Sequence, residues 1–380
     1  MKKFTSGNGT RRNKGEKRKV SCKKKLIWIL GMLVVLVVLG KILIPKIMFP
    51  DFEPVLVTGQ HSVQTSTYTW VDEDRVETYT DTGEKRALTV KFWYPVEEGE
   101  YPLVVFSHGA FGVIDSNNST CNELASNGYV VASIGHPYHA MFVEDVNGKT
   151  TMVDMDFMKQ VYSDNGADTD EAERAVYEFS KEWIEVRTGD MHFVLDTILE
   201  KAEGMEEVPF RLINTDHIGL FGHSMGGATA VQIGRERKDI DAVIDLEGTM
   251  AGEYVDFEKG YELYNEEPYQ VPVLDVNSKA VRDQIDALER EHADANWKYV
   301  NDYLGENAAD YREVIFYGAG HLNFTDLPLF SPILAKMLGV GEVDARTCIE
   351  DVNEVVLLFF NDHLKGEDSS DLIKDVYGNE

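Results

Sequence analysis

Cysteine is nearly absent. Three residues in 380, Cys22, Cys121 and Cys348, cannot build a disulfide framework or a four-cysteine zinc site. With 31 glycines and 11 prolines, the chain has neither the composition of collagen nor that of a low-complexity tract. No internal repeat is visible. Basic residues are scarce outside the amino end. Residues 1–25 hold eleven Lys/Arg and one Glu, whereas the remainder holds 26 basic against 65 acidic residues, for a formal total of −29. A body this acidic repels phosphate, so nucleic acid is not an expected partner. Long apolar runs are missing too, with one exception.

That exception is Leu26–Gly40, LIWILGMLVVLVVLG, which carries no charge; Lys41 interrupts it before Ile42-Leu43-Ile44 and Pro45. Leu26–Ile44 is 19 residues long, close to the ~20 a helix needs to cross a bilayer. Lys23-Lys24-Lys25 precede it, and basic flanks stay cytoplasmic. The reading is a basic cytoplasmic tail (1–25), a single transmembrane signal-anchor helix (26–44) and an extracellular body (50–380) attached to the cell membrane. No A-x-A-like cleavage site lies between Gly40 and Phe49, and a lipoprotein cysteine would have to follow the apolar run, whereas Cys22 precedes it. Outside the membrane, Cys121 and Cys348 are left as either a pair or two buried thiols.

From Leu88 onward, short apolar runs alternate with helical stretches. Leu88–Pro95, Leu103–Phe106, Tyr129–Ile134, His217–Phe221, Ala242–Leu246, Val271–Val276 and Val314–Tyr317 read as strands. Helices are expected over 119–127, after Ser224 through Arg237, over Val281–Leu304, and near Leu327–Leu338 and Glu350–Leu364. Two apolar stripes, Ala172 to Val186 and Met191 to Leu199, have helical spacing. Alternation of this kind predicts a mostly parallel sheet covered by helices on both faces. Residues 50–87 are polar and Thr-rich, with signs of short strands. The segment 140–185 is a candidate lid insertion.

Gly222-x-Ser224-x-Gly226 falls between a strand and a helix. A turn that sharp needs glycine two residues either side of the serine, and it presents the hydroxyl at the carboxyl edge of the sheet. A serine hydroxyl is a weak nucleophile and needs a base. Of ten histidines, only His292, His321 and His363 follow Ser224. His321 alone lies just past a predicted strand, in Gly318-Ala319-Gly320-His321, so it is the expected base. For the acid, Glu247 at the end of its strand is preferred, with Asp245 as the alternative and Asp275 third. Oxyanion donors are expected from the backbone of Met225 and, in the loop Ser107-His108-Gly109-Ala110, of Ala110. His136-Pro137-Tyr138-His139 has no third ligand, its proline prevents a helical pair, and the acidic 140–173 stretch lacks a calcium-loop pattern. The chemistry calls for no metal and no organic cofactor.

Taken together, Phe106-Ser107-His108-Gly109, the Leu124–Ala132 run, Gly222-His223-Ser224-Met225-Gly226-Gly227, Leu246-Glu247-Gly248 and Gly320-His321-Leu322-Asn323-Phe324-Thr325-Asp326 resemble the α/β-hydrolase superfamily. More narrowly, they resemble the plasma, lipase-like platelet-activating factor acetylhydrolases and their bacterial relatives. The resemblance covers about Leu88 to Leu338. It implies an α/β-hydrolase fold, with Ser224 as nucleophile, His321 as base, and Ala110 and Met225 as oxyanion donors. It also implies ester hydrolysis of short or oxidised acyl chains on phospholipids. The family usually carries Asp where Glu247 stands. A general carboxylesterase or cutinase-like polyester hydrolase is the alternative activity. An inactive scaffold serving as a surface binding protein is the alternative from another class.

Overall fold

The computed structural model describes residues 41, 43–163, 169–204, 207–258, 261–292 and 297–377. The expected membrane segment 26–44 therefore lies outside the described residues except at 41, 43 and 44. Among the described residues no helix is long and apolar enough to cross a membrane.

The core of the molecule is a nine-stranded sheet. Its strands in chain order are β1 (Val63–Val76), β2 (Lys85–Pro95), β3 (Tyr101–Ser107), β4 (Val130–Gly135), β7 (Ile213–His223), β8 (Ala242–Leu246), β11 (Val273–Ser278), β12 (Tyr311–Tyr317) and β13 (Val376–Tyr377). Two small hairpins lie outside it, β5 (Phe142–Glu144) with β6 (Thr150–Met152), and β9 (Tyr254–Glu258) with β10 (Tyr261–Tyr264). The spatial order is β1-β2-β4-β3-β7-β8-β11-β12-β13. β1/β2 and β2/β4 are antiparallel, and every later pairing is parallel.

Helices cover both faces: α1 (Asn118–Ser126), α3 (Asp170–Gly204), α4 (Met225–Glu236) and α9 (Ala345–Lys365), the last preceded in the chain by the short α7 (Leu327–Phe330) and α8 (Pro332–Leu338). Period two along β3 splits its side chains between the two cores. Leu103 and Val105 join Met191, Val194, Leu195 and Ile198 of α3 and Ala230 and Val231 of α4. Val104 and Phe106 join Cys121 and Leu124 of α1 and Val356, Phe359 and Phe360 of α9. Burial on both faces is why these strands read as unbroken apolar runs. Cys121 and Cys348 are both buried free thiols.

Four elements depart from the sequence reading. The Thr-rich stretch before Leu88 contains one 14-residue strand, β1, antiparallel to β2. Its alternation is hidden because it is an edge strand with one wet face. The helical pattern from Val281 to Leu304 resolves into α5 (Lys279–Glu291) and α6 (Val300–Asn307). Tyr299 between them is extended and donates its N–H to Glu289 Oε1 at 3.0 Å. Val314–Tyr317 is not the last strand, since β13 adds to the sheet edge beyond it. The two apolar stripes at 172–199 form the single helix α3.

The segment 140–185 comprises the β5–β6 hairpin, α2 (Met155–Ser163) and the start of α3. Phe157 of α2 is buried against Trp183 and Ile184 of α3, and Ala110, Phe111 and Met225 pack on the same cluster. Phe111 faces Phe157 edge-on at 5.8 Å and stacks on Tyr162 at 5.5 Å.

Candidate active site

Ser224 sits between β7 and α4 with φ 56° and ψ −126°, a conformation that L-residues rarely adopt. The glycines around it are forced. A Cβ on Gly222 would lie 2.1 Å from the Gly226 carbonyl carbon, and one on Gly226 would lie 1.9 Å from the Ser107 carbonyl oxygen. The turn is held by Ser224 N–H donating to Leu246 O at 2.9 Å, while Ser224 O accepts from Gly227 N at 2.9 Å and Ala228 N at 3.1 Å. Met225 is the first residue of α4, so its N–H has no carbonyl one turn back to bond and points with the positive end of the dipole.

His321 follows β12 through Gly318, whose φ is +80°, and a tight loop. Asn323 Oδ1 accepts from Gly320 N at 3.0 Å and Gly341 N at 2.7 Å, which pins that loop. The imidazole Nδ1 lies 2.7 Å from Glu247 Oε2. Glu247 directly follows β8 with φ 56°, its side chain is 3% exposed, and its other oxygen accepts Ser278 N–H at 2.7 Å. His223, next to Ser224, donates from Nε2 to His321 O at 3.0 Å, and the two rings lie 4.5 Å apart. His321 and Ser224 therefore occupy one corner of the carboxyl edge. His292 follows α5 and His363 lies in α9; neither is joined to Glu247.

The two alternative acids are placed elsewhere. Asp245 is wholly buried inside β8, with Oδ1 accepting Gly248 N–H at 2.9 Å and Oδ2 without a partner among the described residues. Burial, then the charge of Asp275, pushes its carboxyl well up. Asp275 accepts from Tyr311 Oη at 2.7 Å and Asn301 Nδ2 at 3.2 Å, and burial raises it to about 7. Neither carboxylate has a hydrogen bond to His321.

The loop after β3 brings Gly109 against the serine. A Cβ there would sit 3.1 Å from Ser224 Cβ and 2.8 Å from His223 Nδ1. The 109–110 peptide, which carries the Ala110 N–H, is therefore beside Ser224. Behind it lies a buried polar cluster that sequence reasoning did not assemble. His136 Nδ1 bonds Asp190 Oδ2 at 2.9 Å, and its Nε2 bonds Ser107 Oγ at 2.9 Å. Burial, then the nearby Arg187 cation, holds His136 near a pKa of about 3. The ring is thus a neutral imidazole that donates through Nδ1 and accepts at Nε2. His139 bonds Arg187 and Tyr79. Both ring nitrogens of each histidine are committed to these partners, which explains the His-Pro-Tyr-His run without a ligand. The signal for Arg187 was present in the sequence. It stands four residues from Trp183 and four from Met191, a charge on an otherwise apolar helical stripe.

A sheet of this order, with a strained serine at a strand–helix turn and a His–carboxylate pair beyond later strands, defines the α/β-hydrolase class. A ferulic acid esterase from Streptomyces cinnamoneus has the same fold, with a TM-score of 0.62, 22% identity, and 83% of this chain and 94% of that chain covered. The family described as platelet-activating factor acetylhydrolase, isoform II, matches residues 84–376, and the chain belongs to it. Curated relatives include platelet-activating factor acetylhydrolases of Gallus gallus (25% identical, covering 70% of this chain and 62% of that protein) and Cavia porcellus (22%, 73% and 61%). The chain spans about three fifths of the length of these relatives.

Proposed function

We propose that the protein is a serine ester hydrolase. The observation that carries this reading is the 2.7 Å contact between His321 Nδ1 and the buried Glu247 carboxylate, next to a serine in a strained strand–helix turn. Glu247 fixes the imidazole with Nδ1 protonated, which leaves Nε2 to take the Ser224 proton. Ser224 Oγ attacks the ester carbonyl. The Ala110 and Met225 N–H groups receive the oxyanion, each worth ~3–4 kcal/mol in such sites. Nε2 then hands its proton to the leaving alcohol, and water activated by the same imidazole frees the acyl-enzyme.

A short-acyl or oxidised phospholipid-like ester is the proposed substrate, supported by family membership. A general carboxylesterase remains the alternative. The segment 26–44 is proposed to anchor the chain in the cell membrane with the catalytic body outside, which suits a lipid substrate. Residues 140–185 are proposed to act as a lid, supported by Phe157 and Tyr162 packing on the loop that carries Ala110.

Two assays test this. A fluorophosphonate probe should label the chain and fail on Ser224→Ala; absence of labelling of folded protein supports an inactive scaffold instead. A p-nitrophenyl ester series from acetate to palmitate should favour short chains; a maximum at palmitate replaces the short-acyl assignment with a lipase-like one.

A further inference from the structure

Arg187 is wholly buried in α3, and its guanidinium is aimed at the loop behind the serine. Nη1 donates to His108 O at 2.7 Å and to Ser107 Oγ at 3.3 Å, Nη2 to Gly109 O at 3.4 Å, and Nε to His139 Nδ1 at 3.0 Å. Its acceptors are all uncharged. The carboxylate whose charge acts on it, Asp190, is already engaged by Arg86 through Nε at 2.6 Å and Nη2 at 2.7 Å, by Arg75 at 2.8 Å and by His136. Burying a cation with no carboxylate of its own is costly, and that burial draws the guanidinium down to about 9.

The hydrogen-bond pattern around it is consistent with neutral histidines alone. His139 accepts at Nδ1 and so carries its proton on Nε2, toward Tyr79 Oη. His108 donates from Nδ1 to Gly109 O at 2.7 Å and accepts His136 N–H at Nε2. Burial, then the Arg187 charge, holds His108 and His139 well below the usual imidazole range. The positive charge at this place thus resides on Arg187.

One peptide unit ties this cluster to the reaction. Gly109 C=O, which accepts from Arg187 and His108, and Ala110 N–H are opposite ends of the same planar amide. A cation bonded to the oxygen fixes the plane's orientation and draws electron density from the N–H, making it a stronger donor to an oxyanion. The neighbouring turn needs such support, since Phe111 has φ 60°.

We propose that Arg187 is a positioning residue for the oxyanion site: it locks and polarises the Gly109–Ala110 peptide so that the Ala110 N–H meets the charge that develops on the ester oxygen. The inference rests on the ester-hydrolase reading and deepens it.

The test measures kcat, KM and inhibition by a trifluoromethyl ketone, which adds the serine to give a tetrahedral oxyanion, on the full chain and on Arg187→Gln and Arg187→Lys. Circular dichroism and melting temperature report folding. Removing one oxyanion donor costs ~10²–10³ in kcat, so Arg187→Gln should lose on the order of 10²-fold in kcat with KM within about threefold, and its ketone Ki should rise in parallel. Arg187→Lys retains the charge without the fork and should lose about tenfold. A merely structural arginine would lower stability without coupling kcat to ketone affinity. Folded Arg187→Gln with kcat within about threefold of wild type, or with unchanged ketone Ki, overturns the proposal. If both variants fail to fold, Ser107→Ala decides, because it removes the hydroxyl under Nη1; lowered kcat at unchanged KM supports the role and unchanged kcat overturns it. Wild-type chain that neither turns over esters nor reacts with a fluorophosphonate removes the hydrolase reading and this inference with it. An active wild type with insensitive variants removes the inference alone.

Discussion

Replacing Glu247 by Gln is the most informative single change, because the competing acid lies two residues away. Glu247 Oε2 and His321 Nδ1 are 2.7 Å apart, and the glutamate side chain is 3% exposed whereas the imidazole is 41% exposed. In the transition state the imidazole becomes a cation. With charge centres about 4 Å apart and an effective dielectric of about 20, the carboxylate stabilises it by roughly 4 kcal/mol. Each ~1.4 kcal/mol is a factor of ten, so the charge alone is worth on the order of 10³ in kcat, less what solvent screens on the histidine side. A second effect adds to it. The amide of Gln would donate to Nδ1, placing the ring proton on Nε2, where it blocks acceptance from Ser224. The expected loss is about 10³–10⁴ in kcat with little change in KM. Asp245→Asn should cost less than about tenfold. Its carboxyl is already pushed up by burial and by Asp275, and Asn retains the acceptor for Gly248 N–H. Steady-state kinetics on p-nitrophenyl acetate with purified, folded variants decide the matter. Glu247→Gln within tenfold of wild type, or Asp245→Asn as the more damaging change, would refute the assignment.

Other perturbations probe separate parts of the argument. His321→Ala should abolish turnover while the melting curve is nearly unchanged, and retained activity removes His321 from the proposed triad. Gly226→Ala places a Cβ 1.9 Å from the Ser107 carbonyl oxygen; a backbone neighbour cannot swing away, so both thermal stability and kcat should fall sharply. Asp326 accepts Ser119 N–H at 2.7 Å through Oδ2, its Oδ1 has no partner among the described residues, and burial raises its carboxyl to about 7. Between roughly pH 4 and pH 7 the unfolded chain loses this proton while the native state keeps it, so native stability drops as pH rises, by up to about 4 kcal/mol. Urea titrations should accordingly show Asp326→Asn gaining stability over wild type more at pH 8 than at pH 5; an equal gain at both contradicts the burial argument. Deleting residues 1–44 should release a soluble, active enzyme and leave Phe49 in place against Phe330; an insoluble, inactive product argues that the anchor belongs to the fold.

Several elements were legible because the chemistry imposes them locally. The run Gly222-His223-Ser224-Met225-Gly226 admits few backbones, since the space beside Gly222 and Gly226 is filled by main chain. β3, β4 and β8 were readable from short apolar runs because a parallel strand covered on both faces cannot alternate. β1 was not legible as one strand, because an edge strand with one wet face is mostly polar and is defined by its ladder to β2. Unbroken continuation from α5 to α6 was a misreading of period alone. Helical spacing says nothing of where the backbone leaves the helix; α5 ends at Glu291, and extended Tyr299 precedes α6.

The same division runs through the candidate site. Sequence by itself determined the sharp turn at Ser224, the chain order of Ser224, the Asp245/Glu247 pair and His321, and His321 as the histidine that follows a strand, because those depend on residue type and on neighbours along the chain. Tertiary structure decided which carboxylate faces the imidazole. Asp245 and Glu247 are equivalent in period, and only the φ of 56° at Glu247, with its second oxygen tied to Ser278 on the next strand, turns one of them toward His321. It also decided that Arg187, 37 residues before the serine in the sequence, lies under the loop beside it. Contacts between distant stretches are set by how sheet and helices pack, and no local pattern encodes them.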